Sequence, residues 1–213
     1  MTGTAKTVVG VILAGGQSRR MGGGDKALRA LAGKPMLAHV IERLASQVPC
    51  CVINANGDLG RFIPFGLPVV PDSFGEFAGP LAGILAGMRW TLAHVPDARW
   101  IVTVPSDSPL VPTDLVARLA AGLRPASDTI VLAQSMGRTH PVVGLWPVKL
   151  ADPLQSALEA GVRKIAAWTD QHGTIPVEFP SVRVGGADVD PFFNANTPED
   201  FETLRGLLEA GTR

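Results

Sequence analysis

Short apolar runs alternate with helical patterns along nearly the whole chain, and that alternation narrows the possible architectures sharply. The first run, TVVGVILA at 7–14, is apolar throughout. A strand buried on both faces reads this way, and such strands belong to parallel sheets. CVINAN (51–56), LPVVPDS (67–73) and RWIVTVPSDSPL (99–110) are further strands. Between them lie helical stretches. After a Gly33–Lys34 turn, Pro35 opens a helix in which Leu37, Val40, Ile41, Leu44 and Val48 recur at spacings of three and four. GPLAGILAGMRWTLAHV (79–95) is a second helix, with Pro80 near its start. VPTDLVARLAAGL is a third, capped by Thr113 or by Val111 with Pro112 in the first position. The second half adds two strands, DTIVLAQS and HPVVGLWP, joined by an MGR turn. LADPLQSALEAG and VRKIAAWTDQHG are helical, and each ends at a glycine. TIPVEFP is a strand, and a terminal helix follows with Thr197 as cap and Pro198 first. Strands separated by helices of about 12 residues imply right-handed crossovers. The expected fold is α/β, a three-layer αβα Rossmann-like domain on a mostly parallel mixed sheet.

A length of 213 residues suits one domain, 1–213, and buries a core without disulfide or metal staples. Nineteen basic and nineteen acidic residues cancel, so no overall pull toward nucleic acid or membrane is expected. Any affinity for an anion must come from a local cluster. No apolar run approaches the roughly 20 residues of a membrane span, and MTGTAKT lacks the apolar region of a signal peptide. Cys50 and Cys51 are neighbours in a strand and point to opposite faces, so they read as buried thiols. A reduced, cytoplasmic setting fits them.

In open α/β sheets, ligands lie beyond the carboxyl ends of the strands. The polar punctuation gathers there. A glycine-rich loop follows the first strand, Asn54 and Asn56 the second, Asp72 the third and Asp107 the fourth. That loop, LAGGQSRRMGGGDKAL (13–28), holds five glycines with Arg19, Arg20 and Lys26. Glycines let the backbone approach a ligand, and the cations add charge-assisted donors, which suits a polyphosphate. The Walker pattern is excluded, because Asp25 separates Gly24 from Lys26 and Ala27 stands where a hydroxyl is required. The Rossmann G-x-G-x-x-G is excluded as well, since AGGQSRRMG occupies its place. Local alternatives stand beside these readings. Gly15 and Gly16 also suit a tight turn, Asn54 a turn after a strand, Asp72 an Asx-turn and Asp107 a helix cap. The four tryptophans are scattered and read as packing residues.

VILAGGQSRRMGGGDKAL resembles the signature loop of nucleotidyltransferases with a nucleotide-diphospho-sugar transferase fold. Within that superfamily it most resembles the molybdenum cofactor guanylyltransferases. GKPML, VINAN, VVPDS, GPLAGI, VPSDSPLVP, HPVVGLW and NANTPED follow in the same order, from Val11 to about Leu207. The resemblance implies transfer of GMP from GTP to the phosphate of molybdopterin, with or without molybdenum, with Mg²⁺ as cofactor. Residues 7–125 would bind the nucleotide and 126–210 complete the acceptor site.

It further implies that Leu13, Ala14, Gly15 and Gly16 line the nucleotide, Arg20 and Lys26 bind the triphosphate, and Asn54 and Asp72 contact base or sugar. Asp107 would hold the metal, with Asn196 near it or the product phosphates. Lys26, Asp107 and Arg20 form the implied catalytic set. His140 corresponds to a position on the acceptor side. Molybdoenzymes or their delivery chaperones are the implied downstream partners, and a monomer or weak oligomer is expected. Two other readings stay open at this point. One is a cytidylyltransferase or sugar-1-phosphate nucleotidyltransferase on the same fold. The other is a non-enzymatic nucleotide-binding protein.

Overall fold

Seven strands form the central sheet, in the order β5-β4-β1-β6-β8-β7-β9. The computed structural model describes residues 7–15, 26–74, 79–124 and 129–210. The strands are β1 (Val8–Leu13), β4 (Cys51–Asn54), β5 (Val69–Val70), β6 (Trp100–Pro105), β7 (Ile130–Ser135), β8 (Arg138–Pro147) and β9 (Thr174–Phe179). Only β8 runs against its neighbours β6 and β7; the other pairings are parallel. The reversal is a local consequence of the chain. β7 and β8 are joined by Met136 and Gly137, both at positive φ, the geometry of a two-residue hairpin turn. Helical segments join β1 to β4, β5 to β6 and β6 to β7, and those strands run parallel, whereas the helical segment after β8 leads to β9, which is parallel to β7 and so runs against β8.

The helices are α1 (Met36–Ala45), α2 (Pro80–His94), α3 (Leu115–Ala121), α4 (Ala151–Glu159), α5 (Ile165–Thr169) and α6 (Pro198–Ala210). Alternate residues of β1 serve opposite faces of the sheet, as the pleat requires. Val8 and Ile12 pack with Leu37, Val40 and Leu44 of α1 and Leu115 and Leu119 of α3. Val9 and Val11 pack with Leu81, Ile84 and Met88 of α2 and Leu154 and Leu158 of α4. These two apolar layers around one sheet are the expected αβα sandwich. Helix α2 lies unusually close to β1, because a Cβ on Gly87 would stand 2.7 Å from Val11 Cγ2.

Several local expectations are corrected. The turn before α1 is Ala32–Gly33, at φ 47° and 84°, and it closes a small hairpin of β2 (Ala30–Leu31) and β3 (Lys34–Pro35). Val48 is buried but lies past the end of α1. Neither Thr113 nor Val111 caps α3; Asp114 holds that position, without a side-chain bond. Helix α5 spans only five residues. A second hairpin, β10 (Val182–Val184) with β11 (Ala187–Val189), has no counterpart in the sequence reading. The cap of α6 forms as expected. Asp200 N–H donates to Thr197 Oγ1 at 3.1 Å and Thr197 N–H returns a bond to Asp200 Oδ2 at 2.9 Å. Phe201 and Leu204 of α6 pack with Leu31, Met36, Leu110 and Ala195. This third cluster holds the C-terminal segment against the carboxyl edge of the sheet. Among the described residues no helix is long and apolar enough to cross a membrane.

Candidate functional site

The centre of the candidate site is the end of β1. Leu13 stands opposite Asn54 of β4 on one side and Pro105 of β6 on the other. The pairing continues one step past the strands. Ala14 N–H donates to Asn54 O at 2.8 Å, and Ser106 N–H donates to Leu13 O at 3.0 Å. Leu13, Ala14 and Gly15 therefore run between two groups of polar side chains. Gly16 and Arg20, with Arg19, lie outside the described residues.

On the β6 side, Lys26, Asp107 and Asn196 converge. Lys26 Nζ is 2.5 Å from Asp107 Oδ2 and 3.0 Å from Asn196 Oδ1. The Lys26 and Asp107 side chains are 13% and 19% exposed, so the pair is sheltered but open to a ligand. Asp107 lies two residues past the end of β6 and takes no part in capping α3, which begins at Leu115. The C-terminal segment is tied to the same place. Ala195 N–H donates to Asp107 O at 3.3 Å, and Ser108 Oγ donates to Asn194 Oδ1. Asn196 N–H donates to Asp200 Oδ2 at 2.9 Å, so the cap of α6 also fixes the loop that carries Asn196.

The donor set is suited to a hard divalent cation. Asp107 Oδ2 and Asn196 Oδ1 are oxygens turned onto one cationic centre, the Lys26 ammonium. Mg²⁺ and Mn²⁺ take such oxygens together with substrate phosphates. Among the described residues no three His, Cys, Asp or Glu side chains cluster as a self-sufficient metal site. A cation here would thus draw further ligands from a bound phosphate.

On the β4 side, Asn54, Asn56 and Asp72 form a closed network. Asn54 Nδ2 donates to Asp72 Oδ1 at 2.8 Å and to Val70 O at 3.1 Å. Asn56 Nδ2 donates to Asp72 Oδ2 at 2.7 Å, and Asp72 N–H donates to Asn56 Oδ1 at 2.9 Å. Asn54 is buried, and both its amide hydrogens are engaged. Asn54 thereby holds the Asp72 carboxylate, which is half-exposed at the edge. Gly83 of α2 backs this network, since a Cβ there would come within 2.3 Å of Asn54 Oδ1. The sequence reading passed over Gly83. A glycine inside a helix costs about 1 kcal/mol relative to alanine, and that cost was the available signal.

His140 lies apart, near the start of β8. Its Nε2 is 2.7 Å from Ser135 Oγ and 3.4 Å from Asp190 Oδ2. Burial lowers its pKa, partly opposed by Asp190. Ser135 and Asp190 carried no signal in the sequence, because their 55-residue separation hides the contact. Of the tryptophans, Trp146 and Trp168 are buried with ring centroids 6.1 Å apart, a packing role.

A sheet covered by helices on both faces, with a lysine, a carboxylate and asparagines along its carboxyl edge, is an α/β architecture that binds ligands beyond its strand ends. The chain belongs to the MobA-like NTP transferase domain family, whose match spans residues 10–174. It is 50% identical over 209 residues to a molybdenum cofactor guanylyltransferase of Bradyrhizobium sp. strain ORS 278, covering 97% of this chain and 96% of that one. Its fold matches a molybdopterin-guanine dinucleotide biosynthesis protein A of Archaeoglobus fulgidus with a TM-score of 0.72, at 21% identity, over 94% of this chain and 98% of that one. A Mycobacterium tuberculosis protein crystallised with manganese matches with a TM-score of 0.63, at 19% identity, over 94% of this chain and 99% of that one.

Proposed function

We propose that this chain transfers GMP from GTP to the phosphate of molybdopterin, free or carrying molybdenum, and releases pyrophosphate. The convergence of Lys26, Asp107 and Asn196 beside Leu13–Gly15 carries the reading. Family membership and half-identity to a molybdenum cofactor guanylyltransferase supply the substrates.

The reaction forms a bond between an acceptor phosphate oxygen and the α-phosphorus of GTP. The α–β bridging bond breaks and its electron pair leaves with pyrophosphate. A phosphate monoester has a second pKa near 6, so the nucleophile is largely dianionic at neutral pH and needs no protein base. The protein's task is to position the two phosphates and neutralise charge. Lys26, with Arg20 and the amides of Gly15 and Gly16, binds the triphosphate and offsets charge on the leaving group. Leu13 and Ala14 line the nucleoside. Asp72, held by Asn54 and Asn56, accepts hydrogen bonds from base or sugar. Asp107, with Asn196 beside it, would hold Mg²⁺, which would supply Lewis-acid neutralisation of phosphate charge. Residues 7–125 serve the nucleotide and 126–210 the acceptor within one domain. Two free cysteines suit the reducing cytoplasm. The product passes to molybdoenzymes or their delivery chaperones, and the enzyme acts as a monomer or weak oligomer.

The test is pyrophosphate release from GTP, CTP, UTP or ATP with molybdopterin and Mg²⁺. Release with GTP alone is expected. Turnover with CTP in preference to GTP overturns the choice of base, and no turnover with any nucleotide overturns the enzyme.

A further inference from the structure

A groove of about 630 Å³ opens at the amino end of β6, on the opposite edge of the sheet from Lys26 and Asp107. Trp100 starts β6 and Pro105 ends it, so the groove lies roughly 17 Å along the strand from the candidate site. Its floor is apolar. Leu92 comes from the last turn of α2, Trp100 from β6, Leu123 from the segment after α3 and Pro147 from the end of β8. Backbone bonds tie two of these walls to the sheet. Arg99 N–H donates to Thr7 O at 2.9 Å, and Val148 N–H donates to Arg99 O at 3.0 Å.

Leu92 shows that the floor lacks a cover. The other leucines of α2 and its isoleucine are buried, whereas Leu92 is 45% exposed. Trp100 and Leu123 are half-buried. Apolar surface left in water is unfavourable, and a concave patch of it marks a binding surface.

The rim carries one sign of charge. Arg99, Arg124 and Lys149 are exposed around the floor, and no acidic residue forms part of the wall. Asp97, the acid adjoining this segment in sequence, is exposed and stands outside the groove. The side chains of Arg99 and Arg124 make no ion pair among the described residues. Basic and acidic residues balance over the whole chain, so three cations at one rim are a local excess. That excess selects the occupant. A second copy of the chain packed on the same face would set these cations against themselves. Single-stranded nucleic acid stacks its bases on aromatic rings, and the floor has one ring among aliphatic side chains.

We propose that this groove docks an acidic segment of a partner protein, which lays a large apolar side chain over Leu92 and Trp100 while its carboxylates meet Arg99 and Arg124. An apolar centre within a charged rim is the anatomy of a protein–protein contact. The Lys26–Asp107 site opens at the other edge, so a docked partner leaves it uncovered. The proposal is independent of the GMP-transfer reading.

The probe is a fluorescein-labelled hexapeptide with a leucine–phenylalanine centre flanked by glutamates, followed by fluorescence anisotropy. A lysine-flanked peptide, a peptide with an alanine centre and an oligothymidine serve as comparisons. Wild type should bind the acidic peptide saturably, and more weakly as salt screens the rim. Leu92→Ala and the double variant Arg99→Glu/Arg124→Glu should each weaken that binding by about tenfold or more, through a lost apolar contact and reversed charge respectively. Tm should not change, since all three side chains are exposed. Absence of binding by wild type overturns the proposal, as does undiminished binding in either variant. Equal binding of the lysine-flanked or alanine-centred peptide overturns it too. Preference for oligothymidine would reassign the groove to nucleic acid. A concentration-dependent dimer that Arg99→Glu/Arg124→Glu alters, with no peptide binding, would reassign it to a second copy. Either result overturns the acidic partner.

Discussion

Lys26 and Asp107 are 81 residues apart in the chain, and their side chains meet with Nζ 2.5 Å from Oδ2. Each therefore occupies the other before any ligand arrives. A triphosphate offers the lysine more negative charge, and its departure releases the carboxylate for a cation. Metal and nucleotide should for that reason bind synergistically. In Lys26→Met, Mn²⁺ should bind the nucleotide-free protein more tightly than in wild type, as read by electron paramagnetic resonance. The same variant should raise the KM for GTP by tenfold or more. An unchanged KM would remove Lys26 from the phosphate clamp.

Asp107→Ala should cut turnover by at least a hundredfold and abolish nucleotide-dependent Mn²⁺ binding. Asp107 sits at the strand end rather than in the core, so Tm should shift by only a few degrees. Retention of more than a tenth of the wild-type rate would exclude the metal-holding role.

Gly83→Ala tests the link between α2 and the nucleotide edge. The new methyl would lie 2.3 Å from Asn54 Oδ1 and 2.9 Å from Leu13 Cδ2. Overpacking of this kind costs about 1–3 kcal/mol. Chemical denaturation should register that loss, and calorimetry should show weaker GTP binding because Asp72 loses its support. Wild-type GTP affinity in a destabilised variant would mean that the Asn54–Asp72 network does not serve the nucleotide.

Burial pushes the Cys51 thiol from its ordinary 9.0 up to about 12. The thiol keeps its proton in the folded state and loses it on unfolding above pH 9. The unfolded chain then binds fewer protons, so stability falls as pH rises from about 9 to 12, by roughly 1 kcal/mol per pH unit from this group. Urea midpoints across that range should decline in wild type and decline less in Cys51→Ala. Identical slopes would show that other groups set the alkaline limit.

The alternation of apolar runs and helical patterns was sufficient to read the sandwich. Strand β1 is apolar throughout because both its faces are covered, and a doubly buried strand leaves no other signature. Glycine and proline marked many element ends, since glycine takes positive φ readily and proline lacks the N–H that a helix or ladder needs. Lys26, Asn54, Asp72 and Asp107 were legible as polar breaks after apolar strands. Their partnerships were not, because no local rule tells a chain which strand ends will be neighbours. Sheet order decided that β1 lies between β4 and β6, and so that Leu13 separates the Lys26 cluster from the Asp72 network. The engagement of both Asn54 amide hydrogens by Asp72 and Val70, the fit of Gly83 against Asn54, and the Ser135–His140–Asp190 contact all depend on distances between segments remote in sequence. Local backbone preference and hydrophobic period determined which elements form. Packing in three dimensions decided which side chains share a site, because only the closed core brings those strand ends to one edge.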